Sequence, residues 1–163
     1  MALANLVFTE EELSDFNTHF KLDPPLRTDA DRTALRQGVI DGTIDMVTSN
    51  HEPLNDELKH LEFEYAATGT IGIEAMFGVL CTLFPLDHVI AILTKGKARF
   101  GIENQTIEVG QQANLSLFNP SGNSSLKKEQ ILSSSKNCAF LNSPTQGTVY
   151  GIINNRQTTL KCI

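Results

Sequence analysis

The sequence has few cysteines and no cluster of basic residues. Its three cysteines, Cys81, Cys138 and Cys162, lie far apart and are odd in number, so neither a disulfide framework nor a cysteine-based metal cluster is expected. Reduced thiols are typical of the cytoplasm, which is the localisation we expect. The formal net charge is -6 and the lysines and arginines are dispersed, which makes nucleic acid an unexpected partner.

Long hydrophobic runs are also missing. The most apolar stretch, residues 71–84, is interrupted by Glu74 and is too short to span a bilayer. The first residues, MALANLVFTEEEL, have neither the charged region nor the apolar core of a signal peptide. We therefore expect no membrane partner. The 163 residues, 40% hydrophobic and 20% charged, predict one folded domain, or one domain with a small second piece.

Residues 1–100 alternate predicted helices and strands. Thr9 with Glu12, and Thr28 with Asp31, have the spacing of capping boxes that begin helices, and Gly42 is placed to end the second of these helices. The predicted elements are a helix to about residue 16, a strand over 19–22 that stops at a proline pair, a helix ending at Gly42, a strand over 43–49, and helices over 73–84 and 86–96.

The character of the sequence changes after about residue 100. Residues 105–120, QTIEVGQQANLSLFNP, alternate apolar and polar side chains around a glycine turn. Residues 147–160 predict two short strands around a turn at Asn154 and Asn155, because asparagine tolerates positive φ. Residues 121–137 read as a polar connection. Alternating strands and helices followed by a β-rich tail favour a partial (β/α) barrel segment over 1–100 and a small β-rich appendage over 101–163.

Four stretches, taken in order, resemble the dihydroorotases of the amidohydrolase superfamily. KLDPPLRTDADRTAL resembles their K-x-N-P-P-L-R segment, and DGTIDMVTSNHEP resembles D-G-T-I-D-x-x-x-[ST]-D-H-x-P. GTIGIEAMFGVL resembles the G-x-x-G-x-E helix start that follows, and TIEVGQQANLSLFNP is similar to the G-x-x-A-[DN]-L strand pair of the wider superfamily. The matches keep the family's order and cover nearly the whole chain.

This resemblance implies an α/β fold: the C-terminal part of a TIM barrel, incomplete, followed by a small β appendage. It also implies a metal-dependent hydrolase, with zinc as the family's cofactor, that interconverts dihydroorotate and carbamoyl aspartate in pyrimidine biosynthesis. The earlier strands of a family chain would bring an H-x-H metal pair, a bridging carboxylated lysine or its substitute, and an arginine and asparagine for the substrate carboxylate. The present sequence contains no H-x-H.

Three positions depart from the family motifs at reactive sites. Asn50 stands where the family has the aspartate that moves the proton, and a neutral amide cannot act as a base near neutral pH. Ala4 stands at the metal-binding histidine of the family's H-[HN]-L motif, and its side chain has no lone pair to donate. Asp23 stands at the substrate-binding asparagine, where a carboxylate would repel an acidic substrate. We therefore expect no metal ligand in this chain and no catalytic role for Asn50.

Other matching positions are retained. His51 matches a histidine that contacts substrate, and Gly69 and Gly72 match the turn whose backbone lies near the substrate, so these residues and Asp23 form the candidate substrate site. For each there is a simpler interpretation: His51 as a loop histidine satisfied by backbone, and Asp23 before proline as a turn residue. Glu74 is expected to favour the positive end of the following helix rather than to catalyse.

Three hypotheses remain open on function. A (β/α)₈ barrel closes only with eight strands, typically about 250 residues, so this chain alone would leave open sheet edges and apolar helix faces. The first hypothesis is a part of a dihydroorotase that an N-terminal barrel chain completes. The second is a non-catalytic dihydroorotase-like partner, for example of aspartate transcarbamoylase. A homo-oligomer would cover the open edges with a second copy of the chain. The third hypothesis, an unrelated small α/β binding module, is disfavoured by the order of the motifs.

Overall fold

The computed structural model of the protein describes residues 1–102 and 106–160. The helices and strands among them are α1 Leu3–Val7, α2 Asp29–Ile40, α3 Met76–Leu83, α4 Leu86–Lys95, β1 Asn114–Ser125, β2 Pro144–Asn154 and β3 Gln157–Leu160. Short 3-10 helices cover Glu10–Leu13, Thr18–Phe20, Asp56–Leu58, Gly96–Phe100 and Lys128–Gln130. None of the helices in these two ranges is long and apolar enough to cross a membrane.

The chain packs into two compact units that are interleaved in sequence. The first unit comprises Met1–Met76 and Ser125–Ser143, and the second comprises Phe77–Ser124 and Pro144–Ile163. The domains expected from the sequence are consecutive, because they follow the change from alternating helices and strands to a β-rich tail after about residue 100. The division into a barrel segment over 1–100 and an appendage over 101–163 therefore stays a prediction.

In the first unit, short extended segments lie side by side in parallel. Ala2 forms an isolated bridge with Thr48, and His51 forms another with Thr70. Next to Thr70, the backbone N–H of Ile71 donates to the carbonyl of Asn137 over 3.0 Å. The predicted strand over 43–49 is therefore wrong as a regular strand, because it pairs at a single bridge. The buried core beside these segments includes Leu3, Leu6, Ile71 and Phe140.

The strand predicted over residues 19–22 is also wrong. A 3-10 helix occupies Thr18–Phe20, and the side chain of Asn17 accepts a hydrogen bond from the backbone N–H of His19. Asparagine side chains compete in this way for backbone donors and favour turns over strands. The first predicted helix is a 3-10 helix over Glu10–Leu13, and Thr9 makes no side-chain cap bond there.

Helix α2 confirms the local signals at both of its ends. The backbone N–H of Asp31 donates to the Thr28 hydroxyl oxygen and the N–H of Thr28 donates to the Asp31 carboxylate, each over 3.2 Å. This reciprocal pair is the predicted capping box. Beyond the helix, Gly42 has φ +82°, a left-handed conformation that glycine adopts without strain.

The second unit contains α3, α4 and the three-stranded sheet. The two helices match the predicted ones, with Pro85 between them, and they bury Val79, Leu80 and Val89. The sheet order is β1-β2-β3, and β2 and β3 pair antiparallel with Asn154 opposite Gln157. The predicted hairpin is confirmed, with its turn at Asn155 and Arg156, one residue later than expected.

The remaining part of the tail departs from the predicted pattern. Strand β1 begins at Asn114, so the alternation of residues 106–109 does not produce a strand. Ile107 and its neighbours are exposed, and alternation gives a strand only where one face is buried. The predicted polar connection 121–137 begins inside β1. Cys81 and Cys138 are free, buried thiols, and Cys162 lies outside the described residues.

Candidate functional site

His51 lies where two of the parallel segments meet. Its Nδ1 accepts hydrogen bonds from the backbone N–H groups of Gly72 and Ile73, over 3.3 and 3.4 Å. A ring nitrogen that accepts cannot carry the proton, so the neutral imidazole has its proton on Nε2. The simpler interpretation of His51, satisfaction by backbone, therefore holds for one ring nitrogen. The other nitrogen is left as a hydrogen-bond donor at this site.

Asn50 is fixed by a local hydrogen bond and by a hydrogen bond to a distant loop. It has φ +45°, and its backbone N–H donates to the Thr48 hydroxyl oxygen over 3.2 Å. Its side-chain Nδ2 donates to the backbone carbonyl of Asp23 over 2.8 Å. Two of the predicted site residues are thus brought together, with the amide of one bound to the main chain of the other.

Gly69 and Gly72 lie close to neighbouring groups, a side chain at Gly69 and a backbone carbonyl at Gly72. A Cβ on Gly69 would collide with Oε2 of Glu52, and Gly69 has φ +130°, which L-residues rarely adopt. A Cβ on Gly72 would be 2.5 Å from the carbonyl oxygen of Ser49 and 3.3 Å from the Phe140 ring. Both glycines are required for packing whether or not a substrate binds, so their predicted substrate contact stays a prediction.

Ala4 is buried in α1 among apolar neighbours, with 5% of its surface exposed. The next residue, Asn5, is equally buried and donates from Nδ2 to the carbonyl of Pro25 over 2.9 Å. Asn5 therefore ties α1 to the proline loop that follows Asp23. Nothing at position 4 contributes a polar atom to the site.

Glu74 has a different role from the one predicted. Its carboxylate accepts hydrogen bonds from the backbone N–H groups of Leu132 and Ser133, over 3.2 and 2.7 Å. Helix α3 begins only at Met76, so the carboxylate serves a distant loop rather than the helix end. The sequence carries no sign of this contact, because the two partners lie 58 and 59 residues further along the chain than Glu74.

A buried polar network behind His51 was also missed. Asn137 is fully buried, and its Nδ2 donates to the carbonyl of Glu52 over 2.9 Å, while its Oδ1 accepts from the N–H of Leu54 over 3.2 Å. The hydroxyl of Ser135 donates to the carbonyl of Leu54 and contacts Asn137 Oδ1. The one local signal was the polar composition of residues 133–137, which reads equally well as a solvated loop.

Lys59 places an unusual buried charge in the same unit. Its side chain is almost fully buried, and Nζ donates to the carbonyl of Thr18 over 2.9 Å. Burial, followed by the positive charge of Lys21, lowers the pKa of Lys59 to about 8, and the charge of Glu52 opposes this shift. The ammonium group is thus solvated by carbonyl oxygens rather than by water.

The side chains at the family's metal positions do not form a zinc site. Within residues 1–102 and 106–160, no cluster of three or more His, Cys, Asp or Glu side chains could hold a metal ion. Ala4 has no donor atom, the Asn50 amide nitrogen is bound to Asp23, and His51 Nδ1 already accepts two N–H groups. Zinc sites in proteins use cysteine, histidine or carboxylate ligands, and this set supplies no free combination of them.

Comparison with solved structures identifies the class of fold. L-hydantoinase (dihydropyrimidinase) from Arthrobacter aurescens superposes with a TM-score of 0.85 at 21% identity, covering 96% of this chain and 38% of that one. The inactive dihydroorotase-like domain of the Chaetomium thermophilum CAD-like multifunctional protein superposes with a TM-score of 0.63 at 16% identity, covering all of this chain and 45% of that one. The chain has the α/β fold of an incomplete amidohydrolase TIM barrel, as predicted.

Comparison with curated sequences then gives the family resemblance. The chain is 36% identical over 154 residues to the dihydroorotase of Caldicellulosiruptor saccharolyticus, which covers 90% of this chain and 36% of the relative. No family model matches the chain. The predicted resemblance to dihydroorotases is confirmed, and the chain spans about a third of the length of the curated relatives that it matches.

Proposed function

We propose that this chain is a dihydroorotase-like segment that retains the substrate side of the site but does not interconvert dihydroorotate and carbamoyl aspartate by itself. The observation that carries the proposal is the hydrogen bond from Asn50 Nδ2 to the carbonyl of Asp23. The amide at the position of the family's base is neutral, and it is committed to holding two loops together. Proton transfer in the reaction needs a titratable group at that place.

The same geometry supports a substrate-binding role for His51. Because Nδ1 accepts from the N–H groups of Gly72 and Ile73, the neutral ring carries its proton on Nε2. A donor suits an acidic cyclic amide, whose carboxylate and carbonyl oxygens accept hydrogen bonds. Asp23 acts against this, since its negative charge disfavours an anion nearby. We therefore expect weak binding and no turnover in the isolated chain.

The family resemblance is the reason to consider zinc for this chain. A zinc ion bound at such a site would activate a water molecule and polarise the amide carbonyl. The positions that match the family's ligands are Ala4 and Asn50, and neither offers a zinc ligand in this chain. We propose that the chain alone does not bind zinc.

A second candidate function, a non-catalytic interaction partner in the cytoplasm, is supported by exposed apolar side chains. Phe16, Tyr65 and Leu132, all in the first compact unit, expose 70, 69 and 78% of their surface. A contiguous exposed apolar patch marks a surface that another chain covers, and these three side chains are the candidates for such a patch. The fold is shared with a domain described as inactive and dihydroorotase-like. The partner could be a complementing N-terminal barrel chain, a second copy, or aspartate transcarbamoylase.

The proposed function is tested by measuring zinc content, dihydroorotate hydrolysis and dihydroorotate binding on the purified chain. We expect less than stoichiometric zinc, no turnover, and weak binding that His51→Gln removes. His60→Gln is the matched control, since His60 is exposed and lies outside the candidate site. Stoichiometric zinc with turnover would contradict the non-catalytic proposal, and binding unaffected by His51→Gln would contradict the role of His51.

The partner hypotheses are separated by sedimentation measurements. The chain is examined alone, with aspartate transcarbamoylase, and with the N-terminal two thirds of a dihydroorotase. A complex with the dihydroorotase portion that acquires turnover supports the split-enzyme hypothesis, and a complex without turnover supports the non-catalytic one. A chain that remains monomeric alone and forms no complex in either mixture would contradict the partner role.

A further inference from the structure

Asn137 is a fully buried amide whose side chain bonds the loop on the C-terminal side of His51. Its Nδ2 donates to the carbonyl of Glu52 over 2.9 Å, and its Oδ1 accepts from the N–H of Leu54 over 3.2 Å. The hydroxyl of Ser135 contacts the same Oδ1 and donates to the carbonyl of Leu54. The residues just after His51 therefore have their main-chain groups fixed by one side chain and its neighbour.

The same residue also fixes the segment that approaches His51 from the other side. Asn137 Nδ2 is 3.4 Å from the carbonyl oxygen of Gly69. The backbone carbonyl of Asn137 accepts from the N–H of Ile71 over 3.0 Å and from the hydroxyl of Thr70 over 3.2 Å. These are the residues directly before Gly72 and Ile73, whose N–H groups meet the imidazole.

The consequence for His51 follows from this arrangement. The two hydrogen bonds to its Nδ1 are long, 3.3 and 3.4 Å, so a small shift of either segment would remove them. The two segments are joined directly by a backbone hydrogen bond, which the N–H of Glu52 donates to the carbonyl of Thr70 over 2.8 Å. Asn137 adds further hydrogen bonds to both segments. A buried amide with all its groups bonded is costly to replace.

We infer that Asn137 is a positioning residue for His51, setting the register of the two segments that keeps Nδ1 as an acceptor and the proton on Nε2. The inference deepens the proposed substrate role of His51 and rests on it for its functional meaning. The side chain of Asn137 bonds the main chain of Glu52, Leu54 and Gly69 rather than the imidazole itself. Its effect is on the ring tautomer, and a merely structural residue would not change that property.

The test uses the long-range ¹⁵N–¹H spectrum of the histidine rings in the ligand-free full chain. His51→Gln assigns the His51 signals among the four histidines. In the unmodified chain we expect an Nδ1 shift typical of an unprotonated nitrogen and an Nε2 shift typical of a protonated one. In Asn137→Ala both shifts should move toward the average of the two tautomers. Wild-type ring shifts in a folded Asn137→Ala chain would overturn the inference.

A matched control separates positioning from general loss of stability. Val39→Ala truncates a buried apolar side chain of α2, and it should leave the His51 ring shifts unchanged. If Val39→Ala changes them as Asn137→Ala does, the inference is overturned. If Asn137→Ala fails to fold, Ser135→Ala is measured instead. A smaller change in the same direction then supports the inference, and no change overturns it.

This measurement is independent of the proposed function. The tautomer is observed without dihydroorotate, so a chain that does not bind dihydroorotate can still show the expected ring shifts. In that case the substrate role of His51 fails and the positioning by Asn137 stands. Unchanged ring shifts in a chain that does bind dihydroorotate give the opposite result.

Discussion

The side-chain amide of Asn50 donates a hydrogen bond to the backbone carbonyl of Asp23 across 2.8 Å. Both residues occupy positions at which the family motif has a different polar residue. Their contact joins the loop after the Ala2–Thr48 bridge to the loop before the proline pair. An aspartate at position 50 has no donor for this bond, so the position matters to the stability of the chain as well as to its chemistry.

Asn50→Asp is expected to destabilise the chain by about 1–2 kcal/mol at pH 7, because the hydrogen bond is lost and a carboxylate faces a carbonyl oxygen. Asparagine and aspartate both tolerate positive φ, so the backbone at φ +45° does not account for the difference. Urea unfolding measures the change. Asn55→Asp is the control, since the Asn55 side chain makes no cap bond; its effect should be within about 0.5 kcal/mol. Equal effects at both positions would contradict the role of the hydrogen bond.

Gly69→Ala is expected to be much more destabilising than Gly42→Ala. Both glycines have positive φ, +130° and +82°, but nothing lies within 4 Å of a Cβ built on Gly42. On Gly69 the Cβ would be 3.0 Å from the Cβ of Glu52 and would collide with its carboxylate. An alanine in the left-handed region, at a φ of about +57°, costs about 1–2 kcal/mol, and φ +130° lies further from that region, so the excess at Gly69 measures backbone strain together with the close approach. Thermal unfolding midpoints that fall equally in both variants would show that the crowding at Gly69 is relieved by the Glu52 side chain.

Local signals explain which parts of the fold were predictable. Helix α2 was predictable because its start, at Thr28 and Asp31, and its end, at Gly42, are written within a few residues of the helix itself. The β2–β3 hairpin was predictable for the same reason, since Asn155 adopts φ +56°, and its backbone N–H also donates to the carbonyl of Ala113.

Several of the failed predictions depend on distant partners, whereas the strand predicted over 19–22 is prevented by a bond between Asn17 and His19, two residues apart. Whether residues 43–49 form a strand is decided by the segments beside them, and only Thr48 is paired, with Ala2. Asn137 lies in a stretch of serine and lysine, yet its side chain bonds Glu52, 85 residues away. The family motif identified His51 from its neighbours in sequence, but it carried no sign of the amide that fixes those neighbours. A single sequence does not show such partners when composition is their one local mark.

Thr28→Ala is expected to destabilise the chain by about 1 kcal/mol. The substitution removes the hydroxyl group that accepts from the N–H of Asp31 and donates to the Asp31 carboxylate, while the backbone N–H of residue 28 is kept. Burial is not involved, because Thr28 is exposed. Thr33→Ala is the same chemical change at another exposed position of α2, where alanine is the better helix former, so it should be neutral or slightly stabilising. Unfolding in urea, followed by circular dichroism, measures both, and a Thr28→Ala chain as stable as Thr33→Ala would contradict the capping role.

Because the pKa of Lys59 is lowered in the folded chain, we expect this residue to make the chain more stable as the pH rises into the alkaline range. Its pKa in the folded chain is lowered to about 8, chiefly by burial, whereas an exposed lysine in the unfolded chain titrates near 10.4. Between these two values the unfolded state binds more protons than the folded state, so the free energy of unfolding increases with pH. Below about pH 8 both states are protonated and Lys59 contributes no slope.

The buried thiol of Cys138 titrates in the same range with the opposite sign. Burial raises its pKa to about 11 in the folded chain, so the unfolded thiol loses its proton first and stability falls as pH rises above about 8.5. The contribution of Lys59 is therefore obtained as the difference between the parent chain and Lys59→Met, both of which keep Cys138. We expect this difference in the free energy of unfolding, measured in urea from pH 7.5 to 10.5, to shift steadily in favour of the parent chain as pH rises. A difference that is constant over that range would mean that Lys59 keeps an ordinary pKa in the folded protein. A difference that shifts against the parent chain as pH rises would mean that the carbonyl neighbours of Lys59 stabilise its charged form more than burial opposes it.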